Sequence, residues 1–332
     1  MECTLFRLRF ESGYHLGVDG FGLESCEPRL RSDALFGALC SAAAKLYGGA
    51  SVGELMKSGN ILVSSCFPFV RDVLFFPMPF AWRIHDGAVE YKRLKKAAYM
   101  SLGLLARVLN SSGKEVGLEE ISSESGFLFL ESELKHDDCK GVYVTREIPR
   151  VVIDRVTNST ELFYFSETFF RSDSGLYFLA RTFDRQNAEL LRTCIGFLAD
   201  EGIGADRTCG KGLFTFEEET ISIPEAVNGN SSLLLSLYIP ASEEINSLLP
   251  KESYYEIEER GGWVTSLGMQ TLHRRRVRAF REGSVLVFRD NREPKGCCPI
   301  VLGREDHPQI HHPVFRYMQA FSIPYFLQKD GG

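Results

Sequence analysis

The sequence lacks the features that mark a membrane or secreted protein. No run of about 18 apolar residues, the length that a membrane-spanning helix needs, occurs among its 332 residues. Residues 1–10 carry acid and base inside the apolar run and no cleavage motif, so we expect no signal peptide and a cytoplasmic protein. A content of 44% hydrophobic and 25% charged residues is typical of a globular chain and indicates little disorder.

The spacing of cysteine and histidine excludes the common zinc motifs. The nine cysteines are scattered, and no Cys-x-x-Cys pair occurs. An odd number without ligand spacing predicts free, mostly buried thiols in a reducing compartment. His307, His311 and His312 stand among prolines that would interrupt a helix, and no matching carboxylate spacing accompanies them. We therefore expect no metal site and no cofactor.

The charges are unevenly distributed. A net charge of −6, from 38 basic and 44 acidic residues, would disfavour nucleic acid if it were evenly spread. Acids dominate residues 115–138, whereas seven arginines and only two acids lie within residues 274–292. Such segregation allows a basic groove on an acidic molecule, and solvated charged faces explain the pattern equally well.

Apolar periodicity predicts a mixed α+β chain. Residues 4–10 alternate apolar and polar side chains, which indicates a strand with one buried face. One helix is predicted from Ser32, whose hydroxyl can cap it, to Gly48, and another from Asp184 to Gly202. Strand-like segments cover residues 74–76, 127–130, 142–146, 162–165, 176–179 and 213–216. This order predicts a ferredoxin-like pattern with large insertions.

A linker is predicted at residues 222–232, which combine Pro, Asn, Gly and Ser. Beyond it a strand at 233–239 and a short helix from Ser242 to Leu249 repeat the opening of the chain. We therefore predict two ferredoxin-like (RRM-like) domains. The first covers residues 1–222 and carries the insertions and a glycine-rich loop, and the second covers residues 231–329.

The sharpest local motif is the segment 202–212, here called the glycine loop, with four glycines, Arg207 and Lys211. It does not match the phosphate-binding P-loop, because Gly212 takes the Ser/Thr place and the loop follows a helix instead of opening one. Glycines permit positive φ and let amide N–H groups converge on an anion, while the two bases add charge. Anion binding and a tight turn with solvated bases both remain open.

Several segments, in order, resemble one family. The glycine loop followed by Leu213-Phe214 is similar to that of RAMP proteins, the RNA-binding subunits of CRISPR systems. Further similar segments are residues 7–10, 15–17, 31–39, 64–69, 74–79, 153–157 and 312–317. Together they resemble the RAMP subunit that caps the 5′ end of the crRNA in type III-A (Csm) interference complexes. The resemblance covers nearly the whole chain.

The resemblance implies the RAMP fold, with a hairpin or thumb on the first domain that reaches across the guide RNA. It also implies a subunit that holds the 5′ handle of the crRNA and contacts the large polymerase-nuclease subunit and a backbone RAMP subunit. Target cleavage belongs to neighbours in this family, so a non-catalytic chain is expected. The chain departs from the family pattern at Cys209, where a small hydroxyl residue is more usual, and at Asp206, an acid beside the presumed RNA.

Single-stranded RNA requires cations for its phosphates, closely approaching amides and aromatic faces for stacking. The residues predicted to contact RNA are His15, Phe21 and Ser32 near the first strand and helix, Arg146, Arg150 and Arg155 around the possible hairpin, and Gly202, Gly204, Arg207, Gly210, Lys211 and Gly212 in the glycine loop. An ion pair with nearby acids is the alternative for Arg155, and helix capping alone is the alternative for Ser32.

Two other functions stay open at this point. A metal-free RAMP endoribonuclease that processes CRISPR repeat RNA would use a side chain such as His15 as general acid or base. A purely protein-bridging subunit would need the glycine loop only as a turn. The cluster Arg274 to Arg276 faces either RNA or a protein partner, and the sequence does not decide between them.

Overall fold

The computed structural model describes residues 1–17, 23–49, 52–53, 60–82, 97–110, 120–264, 272–307, 310 and 312–328. They combine three α-helices with many short strands, which confirms the α+β class. The helices are α1 (Ser32–Tyr47), α2 (Leu102–Asn110) and α3 (Arg185–Glu201). Within this described part of the chain, no helix is long and apolar enough to cross a membrane.

The strands fall into a larger amino-terminal set and a set of shorter carboxy-terminal strands. The first set is β1 (Glu2–Phe10), β2 (Ile61–Val63), β3 (Phe67–Val70), β4 (Val73–Pro77), β5 (Tyr99–Ser101), β6 (Ile121–Glu124), β7 (Phe127–Leu130), β8 (Tyr143–Ile153), β9 (Thr160–Phe170), β10 (Ser174–Thr182) and β11 (Phe214–Ser222). The second set is β12 (Ser231–Leu234), β13 (Ile257–Arg260), β14 (Trp263–Val264), β15 (Leu272–His273), β16 (Val277–Phe280), β17 (Val285–Leu286), β18 (Gly296–Cys297), β19 (Ile300–Leu302), β20 (Val314–Phe315), β21 (Met318–Gln319) and β22 (Ser322–Tyr325).

One large sheet organises the amino-terminal part. Its strands follow the order β11-β1-β10-β3-β4-β5-β7-β6, and β2 also pairs with β10. On one face, Phe6 and Leu8 of β1 pack against Leu35 of α1 and Ile195 of α3. Because successive side chains of a strand point to opposite faces, Leu5 is buried on the other side.

That second face is covered by the carboxy-terminal part of the chain. Leu5 shares a core cluster with Leu233 and Leu235, which lie in and just after β12, and with Phe321 and Ile323 near the chain end. Most of the carboxy-terminal strands form two-stranded pairs, and β12 lies between β17 and β22. The large sheet is therefore sandwiched between two helices and the carboxy-terminal strands.

The predicted helix from Ser242 to Leu249 is wrong, because this segment forms turns. The buried carboxylate of Glu244 accepts hydrogen bonds from the Ala241 amide at 2.7 Å and from the Lys295 amide at 2.6 Å. The Leu249 amide then donates to the Val287 carbonyl at 2.9 Å, so the turn does not continue as a helix. Tertiary partners take the place of further helical hydrogen bonds.

Other boundaries also differ from the sequence expectation. The helix α2 was not predicted, although Leu104, Leu105, Val108 and Leu109 give it a buried stripe at helical spacing. The strands β8 and β9 each run for 11 residues, which is longer than the predicted segments. Their continuous pairing explains the extra length.

The predicted linker is packed against the rest of the chain. Ile223 and Ala226 are buried, and the Ile223 amide donates to the Met1 carbonyl at 2.8 Å. The Asn230 side chain donates to the Leu327 carbonyl at 2.9 Å. Both predicted domains also contribute to one core cluster, so they pack together as one body. We propose that residues 222–232 divide the sequence into two units.

A cluster of buried charges joins the two units at the start of α1. Arg31 is 3% exposed and pairs with Glu282 at 2.5 Å and Glu258 at 2.7 Å. In the first helical turn, Asp33 accepts from Arg316 at 2.6 Å and from Arg260 at 3.2 Å. We call this cluster the inter-unit ion network; its members are Glu27, Arg31, Asp33, Glu258, Arg260, Glu282 and Arg316.

The charges of this network are matched closely enough to keep Asp33 ionised. Burial alone would raise the pKa of the Asp33 carboxyl, but Arg260 and Arg316 outweigh burial and lower it to about 2. Similarly, burial opposes ionisation of Glu282, yet Arg31 and the Ser65 hydroxyl lower its pKa. The network therefore holds the carboxy-terminal unit against the base of α1.

Candidate nucleic-acid interface

The glycine loop needs its glycines for two different reasons. All four adopt positive φ, at 88° for Gly202, 99° for Gly204, 73° for Gly210 and 72° for Gly212. A methyl group on Gly202, Gly204 or Gly212 would also overlap a backbone carbonyl oxygen, whereas Gly210 faces open space. The loop backbone is therefore closely packed at Gly202, Gly204 and Gly212 and open at Gly210.

The neighbouring backbone that fixes the loop belongs to the segment after β1. The Ala205 amide donates to the His15 carbonyl at 2.9 Å, and the Gly212 amide donates to the Gly13 carbonyl at 3.0 Å. Within the loop, the Ile203 amide donates to the Gly212 carbonyl at 3.0 Å. Three amides are thus used to hold the loop and are not aimed at an anion.

The strands β8 and β9 form a two-stranded hairpin, closed by the turn 154–159, that stands apart from the large sheet. Its register runs from Tyr143 opposite Phe170 to Ile153 opposite Thr160. The Asp154 carboxylate closes the turn by accepting from the Val156 amide at 2.7 Å and the Thr157 amide at 3.1 Å. The far half is exposed, including the apolar side chains of Val151, Val152, Ile153, Val156 and Leu162.

The hairpin meets the glycine loop at one buried carboxylate. Glu167 of β9 is fully buried and accepts from Arg150 at 2.8 Å and from Lys211 at 2.6 Å. Arg150 also pairs with Asp206, and its guanidinium lies 4.1 Å from the Phe165 ring centroid. Since a buried carboxylate is costly without such partners, Arg150 and Lys211 fix the loop against the hairpin. We call these residues the loop–hairpin junction.

The cations of the interface differ in how they are paired. Arg150 and Lys211 are compensated by Glu167 and Asp206, although the side chains of both cations remain partly exposed. Arg207 pairs with Glu201 at 3.1 Å, and Glu201 also binds Lys45. Among the described residues, neither exposed hairpin arginine, Arg146 or Arg155, has an ion-pair partner. The alternative expectation of an ion pair for Arg155 is therefore not met in the described part of the chain.

His15 lies behind the interface and not on its surface. It is 4% exposed, its Nδ1 donates to the Ser166 carbonyl at 2.7 Å, and its ring packs on Phe165 with centroids 4.5 Å apart. His15 therefore acts on the loop through its backbone carbonyl, and its ring does not face solvent.

The remaining predicted residues occupy other positions. Ser32 is fully buried, and its hydroxyl accepts from the Leu237 amide at 3.0 Å. It is the first residue of α1 and does not cap the helix, because the N-cap position belongs to Arg31. Phe21 lies outside the described residues. The structure thus brings together His15, Arg150, the glycine loop and Lys211, and it separates Ser32 from them.

Sequence reasoning missed the residue that organises the junction. Glu167 stands in β9 between Ser166 and Thr168, and β9 carries a second carboxylate at Glu161, so no local pattern marked Glu167 as the buried one. Phe165, which supports both Arg150 and His15, resembled an ordinary strand residue. Their roles depend on contacts with segments that are distant in the sequence.

The cluster Arg274 to Arg276 interacts largely with other residues of the same chain. Arg275 pairs with Asp306 at 3.3 Å and with Glu305 at 3.5 Å. Arg276 pairs with Glu259 at 2.7 Å. Arg274 is half-buried, and burial together with Arg316 lowers its pKa to about 10. Elsewhere in the described ranges, no group of three or more His, Cys, Asp or Glu side chains is arranged to hold a metal ion.

Comparison with known proteins identifies the family to which this fold belongs. A model of the RAMP superfamily matches residues 7–215, more than half of the chain, and the chain belongs to that superfamily. Residues 227–325 match the CRISPR Csm4 C-terminal domain. Within the superfamily it is therefore a Csm4-type subunit of a CRISPR Csm complex.

Relatives and solved structures agree along the full length. The "CRISPR system Cms protein Csm4" of Thermococcus onnurineus (strain NA1) is 29% identical over 88% of this chain and 90% of its own. The protein of the same description from Mycobacterium tuberculosis (strain ATCC 25618 / H37Rv) is 25% identical over 98% of both. A Csm3-Csm4 subcomplex of the type III-A CRISPR-Cas interference complex contains a chain with a TM-score of 0.66 and 17% identity, covering 98% of this chain and 99% of that one. A chain of a Csm1-Csm4 cassette in complex with pppApA has a TM-score of 0.60 and 20% identity. The match covers 99% of this chain and 100% of that one.

Proposed function

We propose that this chain holds the 5′ handle of the crRNA on the surface formed by the glycine loop and the β8–β9 hairpin. The observation that carries the proposal is the loop–hairpin junction, in which the buried Glu167 joins Arg150 of the hairpin to Lys211 of the loop. The junction supports the idea that the two elements form one surface. Two exposed cations of the same hairpin, Arg146 opposite Glu167 and Arg155 in the turn, are available for phosphates.

The hairpin also offers a face for bases. Tyr164 is 44% exposed and lies opposite Pro149 in the register of the hairpin. Stacking on an exposed aromatic ring is a sequence-tolerant contact, because every base has a π-face. Tyr164 lies on the face of the hairpin opposite to Arg146, an arrangement that suits a single strand passing around the hairpin.

We further propose that the chain is not catalytic and works in the cytoplasm beside its complex partners. His15 is the general acid or base that a repeat-processing ribonuclease would use, and its ring is buried with a hydrogen bond to the Ser166 carbonyl. The solved relatives are described as Csm1-Csm4 and Csm3-Csm4 assemblies. By analogy, this chain links the large polymerase-nuclease subunit to the RAMP backbone.

Salt dependence of RNA retention tests the handle site. The chain is assembled with its large subunit, its backbone subunit and crRNA, and Arg146→Gln/Arg155→Gln is compared with the wild type. The expected result is weaker retention and a slope against log salt that is smaller by about 0.7 for each lost phosphate contact. The control Arg185→Gln/Lys251→Gln removes the same charge from exposed positions elsewhere. Equal retention by all three assemblies would refute the site.

Cleavage is tested separately. The purified chain is incubated with repeat RNA and with target RNA, with and without a divalent metal. We expect intact RNA in every reaction. Specific cutting that a His15→Ala variant loses would replace the holding function with a processing nuclease.

A further inference from the structure

A cavity of about 490 Å³ lies between the two units of the chain. Residues of β3, of the segment 77–82 and of β5 form its amino-terminal side, and Glu256, Arg281 and Glu282 belong to the carboxy-terminal unit. We call it the seam cavity. None of the described residues that line it belongs to the glycine loop or to the β8–β9 hairpin. Its volume falls within the roughly 300 to 1,000 Å³ of small-ligand sites, which often lie at domain interfaces.

The wall formed by the segment 77–82 is fixed through its backbone. The Met78 amide donates to the Ala98 carbonyl at 3.1 Å, and the Phe80 amide donates to the Gly283 carbonyl at 2.8 Å. Gly283 has a φ of 90°, and a methyl group there would overlap the Met78 carbonyl oxygen. Because both units hold this wall, the cavity is preformed.

Aromatic side chains supply much of the lining. Phe67 and Tyr99 are buried, whereas Phe80 and Trp82 are half-buried. The Arg281 guanidinium lies 5.4 Å from the Phe80 ring centroid, so a cation stands beside an aromatic face. Aromatic faces favour stacked or edge-to-face contact with another flat ring. The lining therefore suits an aromatic ligand.

Two polar groups of the lining are not satisfied by the chain. Tyr99 is 6% exposed, and its hydroxyl has no hydrogen-bond partner among the described residues. Burial raises the pKa of this phenol, so it stays neutral and can donate. The Nε of Arg281 is also buried, with no acceptor in the same part of the chain. Since buried polar groups are nearly always hydrogen-bonded, both groups point to a ligand that carries acceptors.

The charges of the seam cavity favour an anion. Deep in the cavity, Arg31 and Glu282 pair at 2.5 Å and compensate each other. The Arg29 guanidinium lies 3.3 Å from the Glu27 carboxylate, which two further arginines share. The side chains of Arg29 and Arg281 are 32% and 28% exposed, so both are within reach of a ligand. Arginine is well suited to phosphate, because its planar fork of donors matches two phosphate oxygens.

We propose that the seam cavity binds a nucleotide, with the base among the aromatic side chains and the phosphate against Arg29 and Arg281. Glu256 opposes an anion, but Arg281 pairs with it at 2.5 Å, and its second oxygen can accept from an amino group of the base. An apolar side chain of a protein partner would leave the Tyr99 hydroxyl and the Arg281 Nε unsatisfied. A free nucleotide and a nucleotide within single-stranded RNA offer the same ring and phosphate. The proposal rests on the cavity alone and not on the proposed handle site.

Fluorescence of Trp82 is the primary test. The chain has two tryptophans, and Trp263→Phe leaves Trp82 as the reporter. The full chain is titrated with AMP and with UMP, beside adenosine, which lacks the phosphate, and ribose 5-phosphate, which lacks the ring. We expect a saturable change with at least one nucleotide, with a Kd below about 1 mM. Each fragment should bind about tenfold more weakly or worse.

Two further probes identify the source of the ligand. A short single-stranded RNA that competes with AMP would assign the cavity to a nucleotide of an RNA strand, and binding of AMP alone would assign it to a free nucleotide. N-acetylphenylalanine has a ring and a carboxylate, as a protein partner would. Tighter binding of N-acetylphenylalanine than of AMP would overturn the proposal, and so would the absence of saturation by the nucleotides and the RNA.

Substitutions in the cavity check where the nucleotide binds. Arg29→Gln and Arg281→Gln should each weaken AMP binding about tenfold, and Tyr99→Phe, which keeps the ring, about fivefold. The control Arg185→Gln alters an exposed arginine and should not change the affinity. Calorimetry with AMP and unlabelled wild type covers the case in which Trp263→Phe does not fold. AMP binding that none of the three cavity variants weakens would place the nucleotide elsewhere and refute the site.

Discussion

The inter-unit ion network and the loop–hairpin junction both bring arginines to carboxylates, and they differ in how far water reaches the cations. In the inter-unit ion network, Arg31 and Arg316 are each 3% exposed and every carboxylate is paired. In the loop–hairpin junction, the carboxylate of Glu167 is fully buried, but the side chains of Arg150 and Lys211 are 28% and 26% exposed. A count of arginines in the sequence does not separate the two clusters, whereas burial does.

This difference separates a structural role from a binding role. A cation that is buried and paired has no access to a ligand, and removing it leaves an uncompensated charge. A cation that is paired on one side and open on the other can meet a phosphate without leaving its carboxylate.

Removal of Arg31 should cause the largest loss of stability. Arg31→Met leaves the buried Glu282 without its arginine, so the free energy of unfolding should fall by about 3 to 5 kcal/mol in urea titration. The control Arg185→Met removes an arginine whose side chain is 92% exposed and should cost less than about 0.5 kcal/mol. Arg31→Met/Glu282→Met should recover part of the loss. A loss no larger than that of the control would show that the network does not hold the units together.

Alanine substitutions in the glycine loop should separate the cost of steric overlap from the cost of positive φ. Alanine at Gly210 meets only the cost of positive φ, about 1 to 2 kcal/mol, because no atom lies near the new methyl group. Alanine at Gly212 adds an overlap with the Ile203 carbonyl and should cost about 3 kcal/mol in total. Thermal unfolding of both variants checks the order. Equal losses would mean that the loop can shift to accept the methyl group.

Acid should weaken the network through Asp33. The pKa of this carboxyl is lowered from 3.8 to about 2 by its arginines, so its stabilising contribution is present above about pH 4 and is lost as the pH falls towards 2. That difference corresponds to roughly 2.5 kcal/mol. The wild type should therefore lose about that much more stability than Asp33→Asn between pH 5 and pH 2. An exposed control, Asp72→Asn, should follow the wild type; if Asp33→Asn follows it as well, Asp33 is not held ionised by the network.

The smallest effect is expected at the loop–hairpin junction. Lys211→Gln leaves Glu167 paired with Arg150 alone and should cost about 1 kcal/mol. Adding Glu167→Gln removes the buried charge and should restore stability in urea titration. Retention of the crRNA handle in the assembled complex should stay reduced in the double variant, since the cation is still missing. Full retention in the double variant would assign Lys211 a structural role only.

The helices and glycines of the site were predictable, but its ion pairs were not. The helices α1 and α3 followed from apolar spacing and from glycines that end them at residues 48 and 202. The short helix predicted from Ser242 to Leu249 was wrong, because the Glu244 carboxylate binds amides about 50 residues away and the segment does not continue as a helix. Local spacing carries no information about partners at such distances.

Two residues show the same limit within the candidate site. Ser32 had the type and position of a helix cap, yet its hydroxyl binds an amide 205 residues further along the chain. His15 had the type and the loop position of a solvent-facing acid or base, yet β9 buries its ring. In both cases the sequence drew attention to the right polar residue. A hydrogen-bond partner distant along the chain gives its side chain a role other than the predicted one.

By itself, the sequence determined the strand β1, the helices α1 and α3, and the need for glycine at positive φ between α3 and β11. Each depends on periodicity or backbone conformation within a few residues. The pairing of Lys211 with Glu167 and the pairing of Arg31 with a carboxylate 251 positions away follow only from the tertiary structure. These contacts arise where segments distant along the chain are buried together, because burial is what forces a charged or polar group to find a partner.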